Sequence, residues 1–509
     1  MILKLLKYFE SNSFKWLILI CFTGAIGWLK WNHIFERDES QVLLIVNNNR
    51  NFFDLIKTFG YEGTTGLWHV FLWLLSWIIP INPISVSIIH FFVIAFFVWL
   101  FLFKIEIPMM FKLIFIVQLS VLWHSLYVRQ YVFILLFLAV YLQSMQTKKY
   151  LWINLSLFLL AQVHVTAIPI AFSLWIYYLA SGILKKEKII KFINFIPVAG
   201  FVIAFLQILP PSDLTPGLTS WNKISSLSEV IFRIDLAISE MLSTKSTVIY
   251  FILIPAMVVW LIRKSFYSGK IHLLIWILSF LICFAAFIYI SLVKYLVVMH
   301  YSLLLYTLLV FVVLLHQQNE IKMKVRWNFV LIPLFAFSAW QMRAKIADYL
   351  YAPFSYAKET AEFLDEKYPC KTVLIIPETH YNSVRVYRKE KTPVFSLGRN
   401  DFSEYTIWNH HCVDHKMNKG LLPVKISDLK NELLKVPDSI LISCPILVIG
   451  SEMPQMLIDE NGSFAEDIDI NDIIYLKYIR SFDGNALNFL TEKYMVFEVQ
   501  KKKMYKIIE

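Results

Sequence analysis

The sequence predicts an α-helical polytopic membrane protein with a small soluble α/β domain at its C-terminal end. Three observations predict it. Of 509 residues, 58% are hydrophobic, 16% aromatic and 17% charged, whereas a soluble domain is about half apolar and about a quarter charged. Apolar runs of about 17 to 25 residues, the length of a bilayer crossing, recur along the chain. Past about residue 344 the runs shorten and polar residues return between them.

The net charge of +11 argues against nucleic acid rather than for it, because Lys and Arg cluster in short loops between apolar runs, as cytoplasmic loops do. Five cysteines are too few for a disulfide scaffold. Cys21 and Cys283 lie in apolar runs as packing residues. A single disulfide among Cys370, Cys412 and Cys444 is compatible with an extracytoplasmic location.

Taken in order, Lys4, Lys7 and Lys15 precede an apolar run over 14–31 with no small-residue cleavage site after it. This reads as an uncleaved signal anchor with a cytoplasmic N-terminus. A first outer loop, 32–83, follows. Within it Asp38 caps a predicted helix over 39–47, with Gln41 at the third helical position. Asn51 caps a second, where Phe52, Leu55, Ile56 and Phe59 share one face and Gly60 marks the stop. Both are too short to span and read as helices lying on the membrane surface.

Further apolar runs fall at 66–80, 84–103, 111–127, 131–146, 150–165, 168–183, 190–209, 246–262, 271–291, 297–316 and 326–343. Basic joints at Lys104 and Lys112, Lys148 and Lys149, 185–191, Arg263 to Lys270, and Lys322 to Arg326 read as cytoplasmic. Sidedness then requires an odd number of crossings between the first outer loop and Lys104. The Trp-rich run 66–80, with Trp68, Trp73 and Trp77, is therefore read as re-entrant or interfacial, leaving about eleven crossings. Residues 1–345 form the transmembrane region and 346–509 the extracytoplasmic α/β domain. The latter has expected helices over 353–368 and 427–436 and strands near 371–377, 394–397, 440–449, 472–479 and 493–499.

Chemistry concentrates near the outer ends of the runs. Asp38 and Glu39 follow Glu36 and Arg37 directly. As first-turn acids they suit a helix dipole, and as carboxylates at a membrane surface they suit a general base. Glu62 sits beside Gly63. Arg129, in HSLYVRQYVF, offers a bidentate fork for a phosphate, with His124 nearby. His164, Lys294 and His300 are polar groups at other outer joints. The cluster WNHHCVDHK places His411 and His415 four apart, but no second half-site accompanies it, so it reads as surface or domain packing rather than a metal site. No Walker A, G-x-G-x-x-G or G-x-S-x-G pattern is present, which argues against nucleotide-driven chemistry.

The run FERDESQ, then NFFDL, then YEGTTGLWHVFLW resembles the opening of the GT-C membrane glycosyltransferases, in particular bacterial relatives of the protein O-mannosyltransferases and of the aminoarabinose transferase acting on lipid A. The resemblance covers about 14–345 in layout and is motif-specific near 35–73 and 125–131. It implies a polyprenyl-phosphate sugar donor, an acceptor hydroxyl on a lipid, glycan or protein, transfer on the outer face of a bacterial cell membrane, and inversion. It places the catalytic aspartate at Asp38 with Glu39 as its acidic companion. Donor-phosphate contacts fall at Arg37, Arg129, His164, Lys294 and His300, and Glu62 stands near substrate or a divalent metal. Thr64 and Thr65 occupy positions where relatives often carry His-Pro. A lipid-linked glycan flippase or transporter, or a polysaccharide polymerase, is the alternative. A flippase predicts paired halves and ionisable groups deep in several helices, neither of which the sequence displays.

Overall fold

The computed structural model describes residues 8–184, 192–209, 271–293, 355–369, 371–376, 380–389, 394–396, 401–406, 426–451, 467–482 and 492–502, with single positions omitted within these ranges and a few included outside them. Two bodies of structure emerge, a helical one and a mixed sheet with helices on both faces.

The helical body opens with α1 (Asn12–Trp31), α2 (Arg37–Asn48), α3 (Phe52–Glu62), α4 (Leu67–Leu75) and α5 (Pro83–Lys104). It continues with α6 (Met109–Ile116), α7 (Leu119–Leu126), α8 (Tyr131–Gln146), α9 (Tyr150–Ala161) and α10 (Ala167–Leu184). A 3-10 turn (Phe192–Phe195) leads into α11 (Ile196–Gln207), and α12 spans Ile271–Val293. Among the described residues α1, α5 and α10 are long and apolar enough to cross a membrane, and several shorter apolar helices accompany them. Their outward faces carry large apolar side chains, including Trp16, Ile20 and Trp28 on α1 and Ile84, Ile88, Phe92 and Phe96 on α5. Such continuous apolar exposure suits lipid rather than water.

Several expected boundaries move. The run 111–127 forms two eight-residue helices, α6 and α7, rather than one. The run 66–80 contributes only the nine-residue α4, roughly 13 Å at 1.5 Å per residue, too short to cross. α3 continues past Gly60 to Glu62, with Asn51 Oδ1 accepting from Phe53 N–H at its start. The largest correction concerns α2. It is not a surface helix: residues 39–46 are all buried, because α2 packs against α4 on one side and the sheet domain on the other. α3 keeps an amphipathic character, with Leu55 and Phe59 buried and Phe52, Phe53 and Ile56 exposed.

The second body comprises α13 (Ala357–Lys367), β1 (Val373–Ile376), α14 (Tyr381–Tyr387), β2 (Val394–Ser396) and β3 (Asp401–Ser403). Then come α15 (Ile426–Leu433), α16 (Asp438–Ser443), β4 (Ile446–Ser451), β5 (Asp467–Asp469), β6 (Ile474–Phe482) and β7 (Lys493–Lys501). The sheet order is β3-β2-β1-β4-β7-β6-β5. β1 pairs in parallel with β2 and β4, and the remaining pairings are antiparallel. Period-two alternation sends Leu374, Leu447, Met495 and Phe497 into one core with Leu429 and Leu433 of α15. Val373, Ile375, Val448 and Val496 enter the other core with Ala361, Leu364 and Val384 of α13 and α14. α14, α16, β3 and β5 are additions to the expected elements, and the expected strand over 440–449 is divided between α16 and β4.

β4 comes close to the start of α14. A Cβ built on Gly450 would stand 2.6 Å from His380 Cβ, inside van der Waals contact. Only glycine permits that approach, and it fixes where α14 leaves the sheet. Gly450→Ala is expected to destabilise the sheet domain by about 1–3 kcal/mol through overpacking, read as a lower melting temperature of the purified protein.

Candidate functional site

The site is built on the first turn of α2 and the joint between α7 and α8. α2 starts two residues earlier than the sequence suggests. Its N-cap is Glu36, and Glu39 rather than Gln41 is the third helical residue, with Glu39 Oε2 accepting from Glu36 N–H at 3.0 Å. Asp38 is therefore a first-turn residue and not a cap. Asp38 Oδ2 accepts from Arg129 Nη1 at 2.7 Å, and Oδ1 lies 3.6 Å from Arg37 Nε. The Asp38 side chain is 37% exposed while that of Arg129 is 16% exposed. The result is a partly exposed carboxyl group on a nearly covered guanidinium.

Arg129 keeps capacity for more. Its Nε is buried and, among the described residues, has no hydrogen-bond partner. A buried charged donor left unpaired is costly, and an anion delivered to this place would relieve it. The Tyr127 and Tyr131 rings flank the guanidinium, with centroids at 5.9 and 5.6 Å, in reach of cation–π attraction.

The joint that carries Arg129 is pinned residue by residue. Lys30 Nζ donates to Leu126 O at 3.2 Å, and Val128 N–H donates to Glu39 Oε1 at 2.5 Å. Tyr127 Oη donates to Glu36 Oε1. His90 Nε2 donates to Arg129 O at 3.2 Å, and Gln130 Nε2 donates to Thr64 Oγ1 at 3.2 Å. Thr64, which stands where the resemblance would place a histidine, thus supports the joint instead.

Glu39 differs from its expected part. It is fully buried and also bonded by His33 Nε2 at 2.8 and 2.9 Å. With Val128 and Glu36 it has its lone pairs occupied, so it braces the site and does not face it. Glu62 is half-buried and accepts from Gln41 Nε2 at 2.8 Å. Burial pushes its carboxyl up to about 7, against the opposing pull of the Gln41 hydrogen bond and the Arg129 charge. Glu36 is also held well above the usual carboxylate range, first by burial and then by Asp38 and Glu492.

His164 is buried at the turn before α10. Its Nδ1 meets Thr166 Oγ1 at 2.8 Å and its ring lies 5.1 Å from that of Tyr131. His124 approaches the same Tyr131 ring at 5.2 Å. Both stand behind Arg129 rather than on Asp38. Lys294 and His300 lie outside the described residues, as do the cluster at 409–416, Cys370 and Cys412. Among the described residues no three His, Cys, Asp or Glu side chains are grouped to hold a metal ion. The Glu39 oxygens are occupied by hydrogen bonds within the protein.

Sequence reasoning passed over several contributors. His33, Tyr127 and the spacing Glu36-x-x-Glu39 carry local signals, the last being a capping-box pattern with an unusual cap. Glu492 and Tyr387 carry none. Arg37 N–H donates to Glu492 Oε1 at 2.9 Å, and Phe35 N–H donates to Tyr387 Oη at 2.7 Å. His69 on α4 is buried, and neither of its ring nitrogens has a hydrogen-bond partner among the described residues. Burial, then the Arg129 charge, lowers its pKa to about 3, so it is neutral.

The Glu62 shift has a definite sign. A carboxyl whose folded pKa lies above its unfolded value of about 4.3 binds more protons when folded, so its contribution to stability is lost as pH rises from there towards about 7. Glu62→Gln keeps the Gln41 hydrogen bond and abolishes the titration. The variant is expected to melt higher than wild type at about pH 8 and close to it at about pH 5, by scanning fluorimetry in both buffers.

No family model, no curated protein and no solved structure matches this chain.

Proposed function

We propose that the chain is an integral-membrane glycosyltransferase that moves a sugar from a polyprenyl-phosphate donor to an acceptor hydroxyl, with inversion, on the outer face of a bacterial cell membrane. The observation that carries this reading is the pairing of a partly exposed Asp38 carboxylate with Arg129, whose Nε is buried and has no hydrogen-bond partner among the described residues. Base and anion receptor thereby stand side by side. The exposed apolar faces of the long helices supply the setting in which a lipid-linked donor resides.

In this mechanism an Asp38 carboxylate oxygen takes the proton of the acceptor hydroxyl as that oxygen bonds to the anomeric carbon. The bond from the anomeric carbon to the donor phosphate oxygen breaks, and its electron pair stays on the phosphate. Arg129, already desolvated and held by the pinned joint, stabilises that developing charge without reorganising. Arg37 shares the field on the other side of Asp38. Attack from the face opposite the phosphate inverts the centre. No step passes through a metal. His164 and His124 act through Tyr131 and Arg129. The proposed topology has about eleven crossings, a cytoplasmic N-terminus and the sheet domain outside.

Asp38→Asn preserves shape and removes the base. Consumption of a polyprenyl-phosphate sugar by the purified variant is expected to fall about 10²–10⁴-fold, the range of general-base catalysis, with an unchanged melting curve. Unchanged turnover would rule out the proposed role and favour a flippase or scaffold. Arg129→Lys keeps the charge but loses the fork and is expected to lower turnover by at least tenfold.

A further inference from the structure

The sheet domain does more than stand beside the site. Glu492 is buried and sits between the two bodies. Its Oε2 accepts from Ser355 Oγ at 2.8 Å and Tyr494 Oη at 2.9 Å, which fixes the carboxyl from within its own domain. Its Oε1 then reaches across to the Arg37 amide at 2.9 Å. That amide is one of the four N–H groups at a helix start that have no partner within the helix. The first turn of α2 is thus completed by a residue from a distant part of the chain, one position before Asp38.

A second contact on the same turn comes from α14, where Tyr387 Oη accepts from Phe35 N–H. One turn further along α2, Gln41 Oε1 accepts from Asn382 Nδ2 at 2.6 Å, while Gln41 Nε2 donates to Thr406 O at 2.5 Å and to Glu62. Gln41 therefore links the sheet domain to Glu62 through a single side chain. α2 has no exposed face of its own to hold it in place, since residues 39–46 are buried between these partners. Its orientation is set from both sides.

We infer that the C-terminal α/β domain is a positioning element of the catalytic site, and that Glu492 is the positioning residue, holding the α2 first turn so that Asp38 meets Arg129. This rests on the glycosyl-transfer reading for its activity readout, and on geometry alone for its structural one.

The test uses the full chain in detergent micelles, with a polyprenyl-phosphate sugar as donor probe, and compares wild type, Glu492→Ala and Glu492→Gln. Glu492→Ala removes the acceptor for the Arg37 amide. It is expected to lower kcat at least tenfold with the donor KM within about twofold, because the base is misplaced while the donor is still held. Glu492→Gln retains an acceptor oxygen and is expected to keep at least half of the wild-type kcat. Hydrogen exchange of the 35–41 amides is expected to rise at least fivefold in Glu492→Ala, with the 167–184 amides unchanged.

Wild-type kcat and exchange in Glu492→Ala would overturn the assignment. An equal loss in Glu492→Gln and Glu492→Ala would also overturn it, since capping would not then be what matters. Should Glu492→Ala not fold, Tyr387→Phe removes the neighbouring contact with less damage, and the same kcat loss and 35–41 exchange are expected; wild-type values in it overturn the assignment. If the wild type consumes no donor, the transferase reading fails, and the exchange experiment alone decides whether Glu492 holds the turn.

Discussion

The arrangement depends on one buried carboxyl group. Glu39 has no exposure to solvent, and a polar side chain in such a place is tolerable only when its oxygens find hydrogen-bond donors. It takes them from three separate segments: His33 ahead of α2, the Glu36 amide at the cap, and the Val128 amide at the α7–α8 joint. Because each donor must converge on the same two oxygens, the loop after α1, the start of α2 and the segment bearing Arg129 are locked into one geometry. Asp38 and Arg129 meet as a consequence. Their 2.7 Å contact is the exposed product of an arrangement whose cause is one residue further in.

The same logic explains the division of labour between the adjacent acids. Successive residues in a helix point about 100° apart, so Asp38 and Glu39 cannot both face the same environment. Glu39 turns inward and becomes part of the frame, and Asp38 turns to the opening and remains available. Glu36 and Glu492 form a further acidic pair on the other side of the turn, where burial favours their protonated forms. Four carboxyl groups share one turn because Arg129 pairs with Asp38, His33 and two backbone amides donate to Glu39, and burial raises the pKa of Glu36 and Glu492.

What the sequence reveals here follows from how local each signal is. The apolar runs mark α5, α8 and α10 almost to the residue, because run length and helix length are the same quantity. The break between α6 and α7 is invisible, since no Gly or Pro falls within 111–127. In the sheet, β1, β6 and β7 are read from short apolar stretches, whereas β3 (DFS), β5 (DID) and α14 (YNSVRVY) are too short and too polar to carry a period. At the site, Asp38 and Arg129 stand out as charges between apolar runs. The surface placement of α2 is misjudged because its buried polar residues, Ser40 and Gln41 among them, are covered by segments more than 300 positions away. The burial of a polar helix face by a remote domain leaves no trace in local periodicity.

The bond from the Arg37 amide to Glu492 joins residues 455 positions apart. A ribosome adding about 5–20 residues per second needs roughly 20 to 90 s to travel from one to the other. Through that interval the helices that hold the lipid-facing surface can already be in the bilayer, while the acid-bearing turn lacks its final acceptor. A chain cut short of Glu492 therefore lacks the acceptor that completes the first turn of α2.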